Sequence, residues 1–202
     1  FIRLAHPVFH YHFISWIIKT LKLVCHKCSK LYVDVENPDI IEKLKHISGR
    51  KRFDYITKLT DDYKICRTCG YLKPSTIKKN VNENLTILIV EWKKTSSRKK
   101  TQVLIGVKED QKIFTRISDK EAEAMGYSRM WCRPEWLICT NLPVAPPAVR
   151  PSVKADNNTR SEDDITHKYI TILKVNRALR QKLESEGTPQ NIIDAWVSSL
   201  QY

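Results

Sequence analysis

Cys25-His26-Lys27-Cys28 and Cys66-Arg67-Thr68-Cys69-Gly70 are the stretches on which the reading of this chain turns. A two-residue spacer lets both sulfurs of a Cys-x-x-Cys turn face one ion at ~2.3 Å, and two such turns complete a tetrahedron. Here 37 residues separate Cys28 from Cys66. Gly70, directly after Cys69, suits a tight turn that needs positive φ. Two disulfides, four unlinked core thiols and a redox Cys-x-x-Cys are the alternatives. The lack of any secretory feature disfavours disulfides, and two pairs in one chain favour zinc over redox chemistry. Cys25, Cys28, Cys66 and Cys69 are the candidate ligands of a structural Zn²⁺, with no position left open for a catalytic water. His26 is an alternative ligand but is expected to point away. Cys132 and Cys139, seven apart in a strand-like stretch, read as buried small hydrophobes.

Working outward, 202 residues allow one domain or two. At 42% hydrophobic and 28% charged, the chain has a folding composition and not a disordered one. No apolar run approaches the ~20 residues of a membrane span, so a soluble chain with no membrane partner is expected. Phe1 to Thr20 has neither the basic start nor the small-residue cleavage site of a secretory signal. The chain begins without Met, and Phe1-Ile2-Arg3-Leu4 reads like the middle of a strand. One part of a longer polypeptide is therefore expected.

Lys and Arg number 35 against 22 Asp and Glu, a formal charge of +13. From Ser161 onward five basic residues face six acidic ones, so the first 160 residues hold about +14. The dense stretches are Lys43 to Arg52 and Lys93 to Lys100, with a sparser set at Arg150, Lys154 and Arg160. Such an excess is the electrostatic footprint of a protein that meets a polyanion, most often nucleic acid. A solvated or assembly surface is the plainer explanation.

Apolar residues at Phe9, Phe13, Trp16, Ile17, Leu21 and Val24 keep a helical period, and Pro7 suits a first turn, so an amphipathic helix is expected from Pro7 up to Cys25. Further helices are predicted over Pro38 to His46 and Arg52 to Leu59. Leu85 to Trp92 and Thr101 to Val107 are β-rich and form a hairpin around the basic loop Lys93 to Lys100. Ser118 and Glu121 make a capping box for a short helix closed by Gly126. Arg133 to Thr140 is a strand candidate. Pro143, Pro146, Pro147 and Pro151 then deny a rigid run both helix and most ladder bonds, and Ser152 to Arg160 reads as an exposed loop. Ser161 is expected to cap a helix opened by Glu162, Asp163 and Asp164, with Ile165, Tyr169, Ile172, Leu173, Leu179 and Leu183 as its apolar stripe. After Gly187, Thr188-Pro189 starts a second helix carrying Ile192, Ile193, Trp196, Val197 and Leu200. So short a link makes the two antiparallel. The fold class expected is α+β: a zinc-stabilised core with small β elements, then an antiparallel helical hairpin that suits a coiled coil.

His6-Pro7-Val8-Phe9-His10, followed by Cys25-x-x-Cys28-Ser29-Lys30-Leu31, resembles the segment after the N-terminal zinc region of the largest subunit of multisubunit DNA-directed RNA polymerases. Arg133-Pro134-Glu135-Trp136, the run Leu142 to Pro151 and Glu162-Asp163-Asp164-Ile165-Thr166-His167-Lys168 resemble that subunit's clamp in the RNA polymerase II branch. The resemblance runs through essentially the whole chain. It implies a clamp core at 1–149 around the zinc, a lid at 150–160 and clamp helices at 161–202. The implied role is to enclose DNA and the RNA–DNA hybrid during transcription, with a lid that separates RNA from template and Arg150, Lys154 and Arg160 as nucleic-acid contacts. Implied partners are the DNA template, nascent RNA, other polymerase subunits including the second-largest, and initiation or elongation factors on the hairpin. The family's nucleotidyl transfer uses Mg²⁺ on the loop Asn-Ala-Asp-Phe-Asp-Gly-Asp. That loop is absent here, so no catalytic residue and no Mg²⁺ are expected in this segment.

Two departures from the family pattern stand out. The second cysteine pair is compact, unlike the widely spaced pair of cellular polymerase II. No aromatic residue lies between Pro143 and Lys168, so a lid that stacks on a base would use Val149 or Val153. With the Lys-rich composition, these features suggest the polymerase of a large DNA virus. The expected location is nuclear if the enzyme is cellular, and host cytoplasm or virion if viral. The competing classes are a free-standing zinc-ribbon nucleic-acid-binding module and a Cys/His hydrolase pairing Cys25 with His26 or His10. The carboxylate pairs Asp61-Asp62 and Asp163-Asp164 are explained by a polar turn and by helix capping.

Overall fold

The computed structural model describes residues 1–80, 87–93, 100–154, 160–185 and 187–201. The first two residues of the expected Leu85 to Trp92 run (85–86), most of the expected basic loop (94–99), part of the expected lid (155–159) and residue 186 at the expected hairpin tip lie outside the described residues. In chain order the elements are β1 (Ile2–Phe9), a 3₁₀ turn (Tyr11–Phe13), α1 (Ile14–Leu23), α2 (Pro38–Lys45), α3 (Arg50–Asp61), β2 (Thr76–Lys79), β3 (Ile87–Lys93), β4 (Lys100–Gly106), α4 (Val107–Thr115) and α5 (Asp119–Ala124). A 3₁₀ turn (Pro134–Leu137), β5 (Ile138–Leu142), a 3₁₀ turn (Pro147–Val149), β6 (Val153–Lys154), β7 (Arg160–Ser161), α6 (Asp164–Glu184) and α7 (Gln190–Gln201) follow. This is the expected α+β mixture. The chain forms two compact units, Phe9–Ile138, and Phe1–Val8 with Cys139–Tyr202.

In Phe9–Ile138 the helices and one antiparallel sheet, ordered β2-β3-β4, enclose a core that includes Phe9, Ile17, Leu21, Ile56, Leu88, Val90, Phe114 and Met125. Leu88 pairs with Ile105 and Val90 with Val103, so strand alternation delivers Leu88, Val90, Trp92 and Ile105 to the core face. The expected hairpin is present, and β2 adds a third strand that its short Thr76-Ile77-Lys78-Lys79 sequence did not signal. Where strand was expected to run through Val107, β4 stops at Gly106. The Glu109 carboxylate accepts the Gly106 N–H (3.3 Å) and opens α4. The capping box of α5 is as read. Ser118 Oγ accepts the Glu121 N–H (3.4 Å), and the Glu121 carboxylate accepts the Ser118 N–H (3.1 Å).

Several contacts brace these elements. Arg52 donates to the carbonyls of Leu44 (2.8 Å), Ile47 (2.8 Å) and Glu123 (3.1 Å), joining α3 to the C-terminal ends of α2 and α5. Gly126 takes φ +86, and a Cβ there would lie 2.2 Å from the Gly49 carbonyl oxygen, so only glycine fits. Arg133 binds Asp119, Glu135 and the Ile117 carbonyl. It thereby holds a 3₁₀ turn in the first half of the expected strand.

Two expectations are corrected here. Pro7 does not begin a helix: β1 continues to Phe9 and α1 starts only at Ile14. Cys132 is exposed, in a turn closed by the Ser128 and Cys132 backbone pair; Cys139 is half-buried.

In the other unit β1 pairs with β5. Helices α6 and α7 pack through Leu179, Val197 and Leu200, with Ile172, Val175, Ile193 and Trp196 around them. The short link 185–189 returns the second helix along the first. Ser161 is not the cap. Its backbone is taken by the β6–β7 ladder, and Asp163 accepts the Ile165 N–H (2.8 Å) in its place. Asn176, buried in the α6 stripe, accepts the Ala5 N–H (2.6 Å) and donates to the Arg3 carbonyl (2.9 Å).

Candidate metal centre and nucleic-acid interface

The two cysteine turns are built alike. In the first, the Ser29 N–H reaches the Cys25 carbonyl (2.8 Å), the Cys25 N–H reaches the Lys30 carbonyl (2.8 Å), and Val24 bridges to Leu31. In the second, Gly70 N–H to Cys66 carbonyl (2.9 Å), Cys66 N–H to Tyr71 carbonyl (2.8 Å) and the Ile65–Leu72 bridge repeat the pattern. The residue after each second cysteine is left-handed, Ser29 at φ 59 and Gly70 at φ 70. The need for positive φ read at Gly70 therefore applies to both turns, and at Ser29 a side chain bears its cost.

Together the turns bring the Sγ atoms of Cys25, Cys28, Cys66 and Cys69 within 4.8 Å of one another. Cys25 to Cys69 is 3.5 Å and Cys28 to Cys66 is 3.6 Å. A disulfide is ~2.05 Å, whereas ligands 2.3 Å from a tetrahedral ion stand about 3.8 Å apart. The donor set and its spacing thus fit a metal ion. Burial pushes the Cys25 thiol up to about 12 and also raises Cys28. Cys66 feels burial too, but backbone hydrogen bonds from Cys69 and Thr68 outweigh it and hold the thiol down to about 7. Coordination requires all four as thiolates and releases their protons.

His26 turns away, as expected. Its buried Nε2 donates to the Leu21 carbonyl (3.2 Å), its ring meets Trp92 edge-on, and burial lowers its pKa to about 4. It is bonded as a neutral structural imidazole, which removes the Cys25–His26 nucleophile pairing.

Tyr32, Tyr63 and Lys73 are the neighbours that sequence reasoning missed. Tyr32 is fully buried against the cysteines, and burial raises its pKa. Lys73 Nζ stands 5.6 Å from the Tyr32 ring and donates to the Thr60 carbonyl (2.6 Å). No spacing rule links these positions to the cysteines.

The three expected nucleic-acid contacts, Arg150, Lys154 and Arg160, lie in the stretch expected to form the lid. Arg150 is committed inward. Its Nε donates to the Ala145 carbonyl (3.0 Å), its Nη1 to Thr166 Oγ1 (3.1 Å), and its guanidinium lies 5.6 Å from the Tyr169 ring. Lys154 and Arg160 are exposed and directly opposite each other in the β6–β7 ladder. Val149 and Val153 are also exposed.

A family described as RNA polymerase Rpb1, domain 1, matches residues 1–202. The chain belongs to this family. DNA-directed RNA polymerase II subunit RPB1 of Euplotoides octocarinatus is 35% identical over 213 residues, covering 100% of this chain and 43% of that relative. The chain thus spans less than half the length of that Rpb1 relative. Membership in the largest-subunit family, expected from the proline run and the cysteine turns, is borne out over the full chain. Among the described residues no helix is long and apolar enough to cross a membrane.

Proposed function

We propose that this chain is the clamp segment of the largest subunit of a DNA-directed RNA polymerase, part of a nucleotidyltransferase whose Mg²⁺-binding aspartates lie elsewhere. The observation that carries this reading is the Rpb1 match over residues 1–202, which extends well beyond the cysteine cluster that a free-standing module would need. The clamp core spans 1–149, the lid 150–160 and the clamp helices 161–202. The ion held by Cys25, Cys28, Cys66 and Cys69 is structural Zn²⁺, because an all-thiolate tetrahedral set suits zinc and not Mg²⁺ or Ca²⁺. Partners are the DNA template, nascent RNA, the second-largest and other subunits, and initiation or elongation factors on α6 and α7. The enzyme works in the nucleus if cellular, or in host cytoplasm or virion if viral.

The lid's residues suggest how it separates strands. Pro146, Pro147 and Pro151 stiffen its base, and Arg150 ties that base to α6 through Thr166 and Tyr169. Lys154 and Arg160 then place two cations side by side for phosphates, a sequence-independent and salt-sensitive contact. Val149 and Val153 offer apolar surface to a terminal base pair. Deleting Asp156 to Thr159, which lie outside the described residues, is expected to leave nucleotide addition intact in the assembled polymerase and lengthen the RNA–DNA hybrid. Footprinting that finds an unchanged hybrid length would sink the strand-separating role of the lid.

A further inference from the structure

Among the described residues, no strand pairs with the outer edge of β4. The Asn80 N–H donated to the Ile87 carbonyl (3.3 Å) sets the alternation of the sheet. Ile87, Ile89 and Glu91 turn their backbone groups to β2, while Leu88, Val90 and Trp92 turn theirs to Ile105, Val103 and Thr101. The N–H and C=O groups of Gln102 and Leu104 therefore point outward, and no described residue pairs with them.

Edge strands are ordinarily protected by a proline, a bulge, a charge or shortness. Here the register runs unbroken from Ile87↔Gly106 to Lys93↔Lys100, and Thr101 to Ile105 holds neither proline nor charge. Each face of the edge offers one exposed apolar side chain, and the Gln102 amide beside Leu104 is bonded to the Glu91 carboxylate (2.9 Å). Val103, opposite the core residue Val90, is 44% exposed, and Leu104, opposite Ile89, is 57% exposed. Backbone groups in this register are satisfied by an extended chain. Charge narrows the choice: Lys93, Lys94, Arg98, Lys99 and Lys100 crowd one end of the strand in sequence, which favours an acidic segment over a second copy of this basic chain.

We propose that β4 receives a fourth strand, an extended segment of another polypeptide of the polymerase, apolar where it crosses Val103 and Leu104 and acidic where it passes Lys100. The proposal rests on the placement of this chain in a polymerase. Its test is hydrogen exchange at single-residue resolution on purified polymerase containing the chain. Thr101, Val103 and Ile105, bonded to β3, are the internal controls. With the added strand, Gln102 and Leu104 exchange as slowly as these controls, roughly 100-fold or more below an open edge. Fast exchange confined to Gln102 and Leu104, or fast exchange at all five, overturns the strand. A photoreactive phenylalanine in place of Leu104 then identifies the occupant. A link to an acidic segment of another polypeptide supports the proposal; a link to nucleic acid, to this subunit or to a second copy overturns it. A purified polymerase that lacks the chain overturns the functional reading and this proposal together, whereas an open edge in one that contains it overturns only the strand.

Discussion

Asp110 is fully buried in the first half of α4, and neither carboxylate oxygen has a hydrogen-bond partner among the described residues. Desolvation raises its pKa well above the usual carboxylate range, and the neighbouring Glu109 adds to the shift. The sign follows from proton linkage. The folded state holds this proton more tightly than the unfolded chain, where Asp titrates near 3.9, so its contribution is fully present below about that pH and is lost as pH rises through the folded pKa. Asp110→Asn cannot ionise and escapes that loss. Calorimetry across pH is expected to find equal melting temperatures near pH 4 and a variant more stable by roughly 2–4 °C at pH 8. Melting curves that stay parallel over this range would show that the carboxyl is solvated or paired.

Asn176 carries a comparable load for a whole element. Its carboxamide serves both the Ala5 N–H and the Arg3 carbonyl, tying β1 to α6 across 171 and 173 positions of sequence. Asn176→Leu leaves the Ala5 N–H unpaired and the Arg3 carbonyl with only the longer Arg180 contact (3.4 Å), at a cost of about 1–3 kcal/mol. Asn176→Asp keeps the acceptor and loses the donor. The Ala5 amide is therefore expected to exchange fast in the leucine variant and slowly in the aspartate variant; equal rates would remove Asn176 from this role. Position 176 falls between Ile172 and Leu179 of the expected stripe, but the stripe was read from apolar residues alone and no local signal tells what an amide does there. The same boundary separates the rest of what the sequence showed from what it hid. Cysteine spacing, the Ser118 box and the helical hairpin are constraints between near neighbours, and they were legible. Pro7 was read as a helix start because its strand partner, β5, lies some 130 positions away, and a proline is tolerated on an edge strand. Tyr32 and Lys73 escaped for the same reason, since only the folded chain brings them to the cysteines.

At the scale of the whole chain, each compact unit has its own core. Among the described residues, the cluster of Leu179, Val197 and Leu200 is drawn from Phe1–Val8 and Cys139–Tyr202, while the cysteine cluster and the larger core fall within Phe9–Ile138. Binding of a structural zinc ion contributes about 10 kcal/mol or more, as much as the net stability of a typical domain. Its loss should therefore unfold the unit that holds the cysteines without reaching the helices. Chelation, or Cys66→Ser, is expected to abolish stoichiometric zinc and amide protection through Phe9–Ile138, first at the Val24–Leu31 and Ile65–Leu72 bridges. Protection in α6 and α7 should persist. Full zinc occupancy in Cys66→Ser would refute the ligand set, and simultaneous loss of protection in both units would refute their independence. The charge is uneven as well: the first 160 residues hold about +14 and the last 42 are nearly neutral, and the dense basic stretch Lys43 to Arg52 falls in the unit that holds the cysteines. A phosphate surface has to be held rigid, because like charges gathered on it repel one another. On the proposed clamp reading, the metal braces a basic unit, and chelation is expected to weaken nucleic-acid retention by the polymerase more steeply at low salt than at high salt.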